Sequence, residues 1–103
     1  MKRLFTALAC GLAIAFSSPC AFCGTLFRVA ATPVPHGDIL RLIVDDMKAM
    51  GFDMRIVEFS DFVSPNLALD AGEVDANYYQ HQPFLRASVE ARKLNIVPVQ
   101  PIH

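Results

Sequence analysis

An α/β fold, with three to four mostly parallel strands and flanking helices, is what this sequence predicts. Two observations carry that expectation. Beyond Gly24, short apolar runs alternate with stretches whose apolar residues recur every three or four positions. Glycine or proline punctuates most of the junctions between them. Strand and helix in alternation is the pattern of parallel βαβ units, and the right-handedness of their crossovers puts helices on both faces of the sheet.

Leu26-Phe27-Arg28-Val29-Ala30-Ala31 reads as the first strand, short and mostly apolar. Thr32-Pro33-Val34-Pro35 ends it, because proline lacks the N–H that a ladder or a helix interior needs. Ile39, Leu40, Ile43, Val44, Met47 and Met50 share one helical face and predict a helix from about His36 to Met50. Asp38 in its first turn and Lys48 in its last complement the helix dipole, and Gly51 suits its end. Met54 to Phe59 is the second strand, with β-branched Ile56 and Val57. Ser64-Pro65 predicts a helix start, a capping serine followed by proline at the first helical position, and Gly72 stops that short helix. Val74 to Tyr79 is the third strand, diluted by Asp75 and Asn77. Pro83 opens a third helix to about Lys93, striped by Phe84, Leu85, Val89 and Leu94. Ile96 to Val99 is the fourth strand, interrupted by Pro98.

The first residues belong to a different category. Lys2 and Arg3 precede an apolar run from Leu4 to Phe16, then Ser17, Ser18 and Pro19. A charged start, a short apolar stretch and small residues after it are the layout of an export signal. The run falls short of the roughly 20 residues that span a bilayer. The expected division is therefore a signal over 1–23 and a folded part over 24–103. That part keeps 103 − 23 = 80 residues, enough for one small domain with a thin core. It carries 9 − 2 = 7 basic and 10 acidic residues, a net charge of −3 that offers no footprint for nucleic acid. All three cysteines, Cys10, Cys20 and Cys23, fall in or beside the signal, so neither a disulfide framework nor a zinc cluster is expected in the folded part. Cys23 and Cys20 are candidate lipidation sites. Phe22 and Pro19 directly before them fit a lipoprotein signal poorly, and ordinary cleavage after small residues competes with it.

In open parallel sheets, ligands sit beyond the carboxyl ends of the strands. Three loops fall there: Thr32 to Asp38, Ser60-Asp61-Phe62, and Tyr78-Tyr79-Gln80-His81. They are aromatic and neutral-polar, which suits a small, partly apolar ligand. Structural roles compete. Phe59 and Phe62 could pack under the second helix, one of Tyr78 and Tyr79 must face away from the other in a strand, and His81 could cap the third helix. No catalytic set is present: Ser60 and Ser64 lack nucleophile-elbow glycines, the histidines are not at metal spacing, and Gly37, Gly51 and Gly72 stand alone rather than in a phosphate loop. Neither an enzyme nor a cofactor is expected.

The segments ATPVPHGDIL, RIVEFSDFVSPNLALDAGEVDANYYQHQPFL and NIVPVQPIH resemble the NlpA/MetQ family of methionine-binding lipoproteins, over about Leu26 to His103. The resemblance implies a lobe of the periplasmic-binding-protein type (type II-like), in a substrate-binding component of an ABC amino-acid importer. It implies methionine, D or L, as ligand, a membrane permease as partner, and a periplasmic location with a lipid anchor at an N-terminal cysteine. Its site positions fall on Phe62, Tyr79 and His81; Phe62 stands where the family usually has tyrosine. The chain matches about the first third of a family member, and the arginine that grips the ligand carboxylate belongs to the remainder. The 103-residue chain by itself is therefore expected to bind methionine very weakly or not at all. The rival expectation is a non-binding remnant or exported interaction module that self-associates through its sheet edge.

Overall fold

The computed structural model describes residues 23–102. The expected signal up to residue 22, with Cys20, lies outside them. The order of elements is β1 (Thr25–Ala31), α1 (Asp38–Arg41), α2 (Val44–Ala49), β2 (Phe52–Glu58), α3 (Ser64–Asp70), β3 (Ala76–Tyr78) and α4 (Gln82–Arg92). The three strands form one parallel sheet in the order β2-β1-β3. Thr25 through Ala31 pair in register with Phe52 through Glu58, and Val29 to Ala31 pair with Ala76 to Tyr78.

β1 is central because side chains on both of its faces are buried. Val29 and Ala31 pack with Leu40 and Met54 on one face, joined by Phe27, Val44, Met47, Ile56 and Tyr78. Ala30 packs with Ala68 and Val74 on the other, joined by Val57, Phe59 and Leu69. The strand period of two sorts odd from even residues onto the two faces. Leu40 and Met54, each below 8 % exposed, contribute about 1.5–3 kcal/mol apiece through apolar burial.

The expected helix from His36 to Met50 is two helices. Residues 33–37 form an irregular turn, extended at Val34 and closed by the Asp38 N–H on Pro33 O, and His36 belongs to that turn. The backbone then tightens at Leu42 and Ile43, whose N–H groups reach back three residues to Ile39 and Leu40 rather than four. Ile43 and Val44 are both β-branched, and restricted χ1 makes such a pair a weak point in a helix. Gly51 does end the segment, at φ +91°, and its carbonyl accepts the N–H of Thr25 at the start of β1.

β2 begins two residues earlier than expected, at Phe52. β3 is shorter than expected, and Asp75 is the reason. Its carboxylate takes the Arg28 backbone N–H at 2.8 Å while its own N–H bonds Arg28 O at 2.8 Å, so a side chain replaces the next rung of the ladder. The fourth strand does not form. Residues 95–102 follow α4 without regular structure, and Val97 and Val99 are 75 % and 93 % exposed. Pro98 cannot donate to a ladder, and Val97 and Val99 bury no apolar face against the sheet.

Candidate functional site

The carboxyl end of the sheet is shaped by three loops. In the first, the buried Thr32 hydroxyl meets His36 Nδ1 at 2.8 Å, and Gly37 N–H closes the turn onto Thr32 O at 2.8 Å. A Cβ on Gly37 would lie 2.7 Å from Glu58 Oε1, so glycine lets the turn seat against the end of β2. Arg41 clamps that seat by pairing with both Asp38 and Glu58.

The second loop is held by Asp61. Its Oδ2 accepts the backbone N–H groups of Ser64 at 2.7 Å and Val63 at 2.9 Å. Those bonds, chiefly the one from Ser64, hold the Asp61 carboxyl below the usual carboxylate range. The expectation of a Ser64 cap is thereby corrected: Ser64 is already inside α3, and the acceptor that satisfies its orphan N–H is three residues upstream. Phe62 stands between the capping carboxylate and the helix, 62 % exposed.

The third loop leaves β3 with the two tyrosines on opposite faces. Tyr78 packs in the core with Leu40 and Met54 and meets the His36 ring edge-on at 5.1 Å. Tyr79 turns the other way. Its hydroxyl donates to Phe62 O at 2.8 Å, and its ring stacks on Phe62 with centroids 6.4 Å apart and an 11° tilt. Phe84, in the first turn of α4, adds an edge-on ring 6.3 Å from Tyr79. Burial, with a smaller contribution from the Asp61 charge, pushes the Tyr79 hydroxyl up to about 12. Phe62, Tyr79 and Phe84 thus make an aromatic face whose middle ring is buried and whose outer rings meet solvent.

Two of the three residues singled out in the sequence, Phe62 and Tyr79, are in direct contact. His81 is exposed at the start of α4, two residues beyond Tyr79. It caps that helix through its backbone, its carbonyl accepting Leu85 N–H at 3.1 Å, and not through a side-chain cap bond. Phe84 was legible only as part of the helix stripe. Its position in the first turn of α4, directly after the loop that carries Tyr79, is the signal that would have placed it near that ring.

A second feature had no sequence signal. Asn66, 1 % exposed on α3, exchanges two amide hydrogen bonds with Gln80: its Nδ2 donates to Gln80 Oε1 at 2.8 Å, and Gln80 Nε2 donates to its Oδ1 at 2.6 Å. Asn77 Nδ2 donates to the same Oδ1 at 2.9 Å. A shallow groove of about 210 Å³ lies elsewhere, between α4 and the segment after it, lined by Leu85, Val89, Ile96 and Pro98 among others. Its polar lining is Gln82, Arg86 and Glu90, all on the α4 side. Among the described residues, no group of three or more His, Cys, Asp or Glu side chains is placed to hold a metal ion. No described helix is long and apolar enough to cross a membrane.

A three-stranded parallel sheet with flanking helices, and an aromatic face beyond the carboxyl ends of its strands, is the architecture that this chain shares with substrate-binding lipoproteins. The chain belongs to the NlpA lipoprotein family, whose model matches residues 27–103. It is similar to the methionine-binding lipoprotein MetQ of Bacillus subtilis, 34 % identical over 99 residues that cover 87 % of this chain and 35 % of that protein. It is also similar to the D-methionine-binding lipoprotein MetQ of Escherichia coli K12, 43 % identical over 49 residues, 48 % of this chain and 18 % of that one. Among solved structures, a YaeC-family lipoprotein from Enterococcus faecalis superimposes with a TM-score of 0.72 at 35 % identity, covering 75 % of this chain and 32 % of that chain. The lipoprotein Tp32 of Treponema pallidum does so with a TM-score of 0.65 at 26 % identity, covering 67 % and 29 %. The chain spans about a third or less of the length of these relatives.

Proposed function

We propose that this chain supplies the side-chain-recognising wall of a methionine-binding cleft, in the exported substrate-binding component of an ABC importer. Phe62, Tyr79 and His81 are the ligand residues of that reading, with Phe84 added. The observation that carries it is the Phe62–Tyr79 stack at the carboxyl end of the sheet. A thioether is soft and polarizable and gains from aromatic ring edges, which this face presents. Membership of the NlpA lipoprotein family and the names of the relatives support the choice of methionine. The membrane permease as partner and a lipid anchor at Cys23 or Cys20 belong to the same proposal; Cys23 is exposed at the start of the described residues.

The face lacks what the other end of the ligand needs. An amino acid carries an ammonium and a carboxylate, and burying either without a partner is costly. Arg28, Arg41 and Arg55 are each committed to a carboxylate of the chain itself, Asp75, Glu58 and Asp53 respectively, and Arg86 on α4 reaches Gln82 Oε1 at 3.4 Å and lines the groove beside α4. Side-chain contact without a carboxylate partner predicts selective but weak binding. In an NMR titration with L-methionine, the ring resonances of Phe62, Tyr79 and Phe84 and those of His81 should shift together, and L-alanine at the same concentration should leave them in place. Equal shifts from both amino acids, or methionine shifts confined to the groove beside α4, would refute the assignment.

A further inference from the structure

We infer that the Asn66–Gln80 amide pair, braced by Asn77, is a positioning lock that sets the aromatic face by fixing the third loop to the second. The inference rests on the ligand face proposed above and deepens it: Asn66, Asn77 and Gln80 become positioning residues that need not touch the ligand.

The connectivity makes the argument. Tyr78 is the last residue of β3 held by the sheet, opposite Ala31. Gln80 is held by two reciprocal bonds to Asn66. Tyr79 is the single residue between these two held residues, which narrows the directions its side chain can leave the backbone. Asn66 lies on α3, and the start of α3 is tied by Asp61 to the loop that carries Phe62. The lock therefore joins the two loops whose rings stack. The Tyr79 hydroxyl on Phe62 O closes the circuit from the other side.

The chemistry of the lock is specific. An amide offers a donor and an acceptor side by side, so two amides can satisfy each other head to tail. Asn66 Oδ1 takes a further bond from Asn77 Nδ2, and Asn77 Oδ1 receives Gln80 Nε2 at 3.4 Å. Asn77 Nδ2 also reaches Pro65 O at 3.4 Å. No charge is involved, so the lock is indifferent to pH in the native chain. A buried network of this kind rigidifies when every member is satisfied and fails when one donor is lost.

Gln80→Glu converts that specificity into a test. A neutral carboxyl keeps one donor beside one acceptor and can replace the amide; an ionised one has no donor and turns an oxygen on Asn66 Oδ1. Folding then favours the neutral form, which raises the introduced carboxyl above its ordinary value of about 4.3. The lock is present below that value and lost as pH rises through the raised one.

The experiment follows the ring-to-ring NMR contact between Phe62 and Tyr79 in the full chain, with far-UV circular dichroism alongside. No ligand is added, so the outcome stands whether or not the chain binds methionine. The native chain should show the contact at pH 4 and at pH 7. Gln80→Glu should show it at pH 4 and lose it at pH 7 with an unchanged far-UV spectrum. A contact that persists at a pH where the carboxyl-carbon shift shows the introduced side chain ionised, or that is lost at both pH values, would overturn the lock. Should Gln80→Glu unfold at pH 7, Gln80→Ser serves instead, since water can enter that half-buried position. Loss of the contact in a folded Gln80→Ser chain would support the lock, and its retention would overturn it.

Discussion

Asn66→Ala is expected to lower the unfolding free energy by about 3 kcal/mol. Asn66 is among the most deeply buried side chains of the fold, at 1 % exposure, and is surrounded by its partners. Truncation removes the two bonds exchanged with Gln80 and the one received from Asn77. It also leaves both partner amides without the groups they were aimed at. Each satisfied bond contributes about 1 kcal/mol net, and each stranded group costs about 1–3 kcal/mol, so the sum lies well above a surface substitution. For a domain of this size the melting temperature should fall by roughly 10–20 °C. Thermal melting followed by circular dichroism checks it. A drop of less than about 5 °C, corresponding to under about 1 kcal/mol, would mean that solvent already reaches the network.

Tyr79→Ala should have an effect of the same order, about 3–5 kcal/mol, because it empties a buried aromatic position. It also removes the centre of the aromatic face, so methionine should no longer shift the Phe62 and Phe84 resonances. Tyr79→Phe separates the two contributions. The ring and its stacking remain, only the bond to Phe62 O is lost, and the cost should be about 1 kcal/mol. The hydroxyl carries a second consequence. Its folded-state value lies near 12 against an ordinary 10.0, so the folded chain binds that proton more tightly. The associated stability is fully present below pH 10 and is lost as pH rises towards 12. Tyr79→Phe should therefore show a flatter loss of stability with alkali than the native chain, measured as urea midpoints across that range. Equal slopes in both proteins would place the hydroxyl in solvent.

Three of the four expected strands were legible because they are short runs rich in apolar and β-branched residues. Val29, Ala30 and Ala31 read as strand, and the structure buries all three at the centre of the sheet. Gly51 and Gly72 were legible as helix stops, and both sit at positive φ. The break at Leu42 was not, since Ile39, Leu40, Ile43 and Val44 fit one continuous helical face as well as two short ones. Ile96 to Val99 has the composition of a strand but pairs with none of the three, and composition carries no information about a neighbour. At the site, strand geometry nominated the loops of Phe62 and Tyr79 without knowing that the rings would stack. The Asp61 cap was hidden behind the more conventional Ser64. The amide lock joins residues 14 apart in sequence, and no local pattern distinguishes Asn66 from an exposed helix residue.

The central claim is that this chain holds the wall for a thioether side chain but lacks a carboxylate partner for the ligand. Isothermal titration of the chain with L-methionine tests it most directly. Burial of a methionine side chain is worth about 1.5–3 kcal/mol, and less when only one wall is present. A dissociation constant of 1 mM requires about 4.1 kcal/mol. A constant weaker than about 1 mM, or no measurable binding, is expected. A submillimolar constant, for a folded chain, would show that these residues also compensate the charges of the ligand, contrary to the one-walled site proposed.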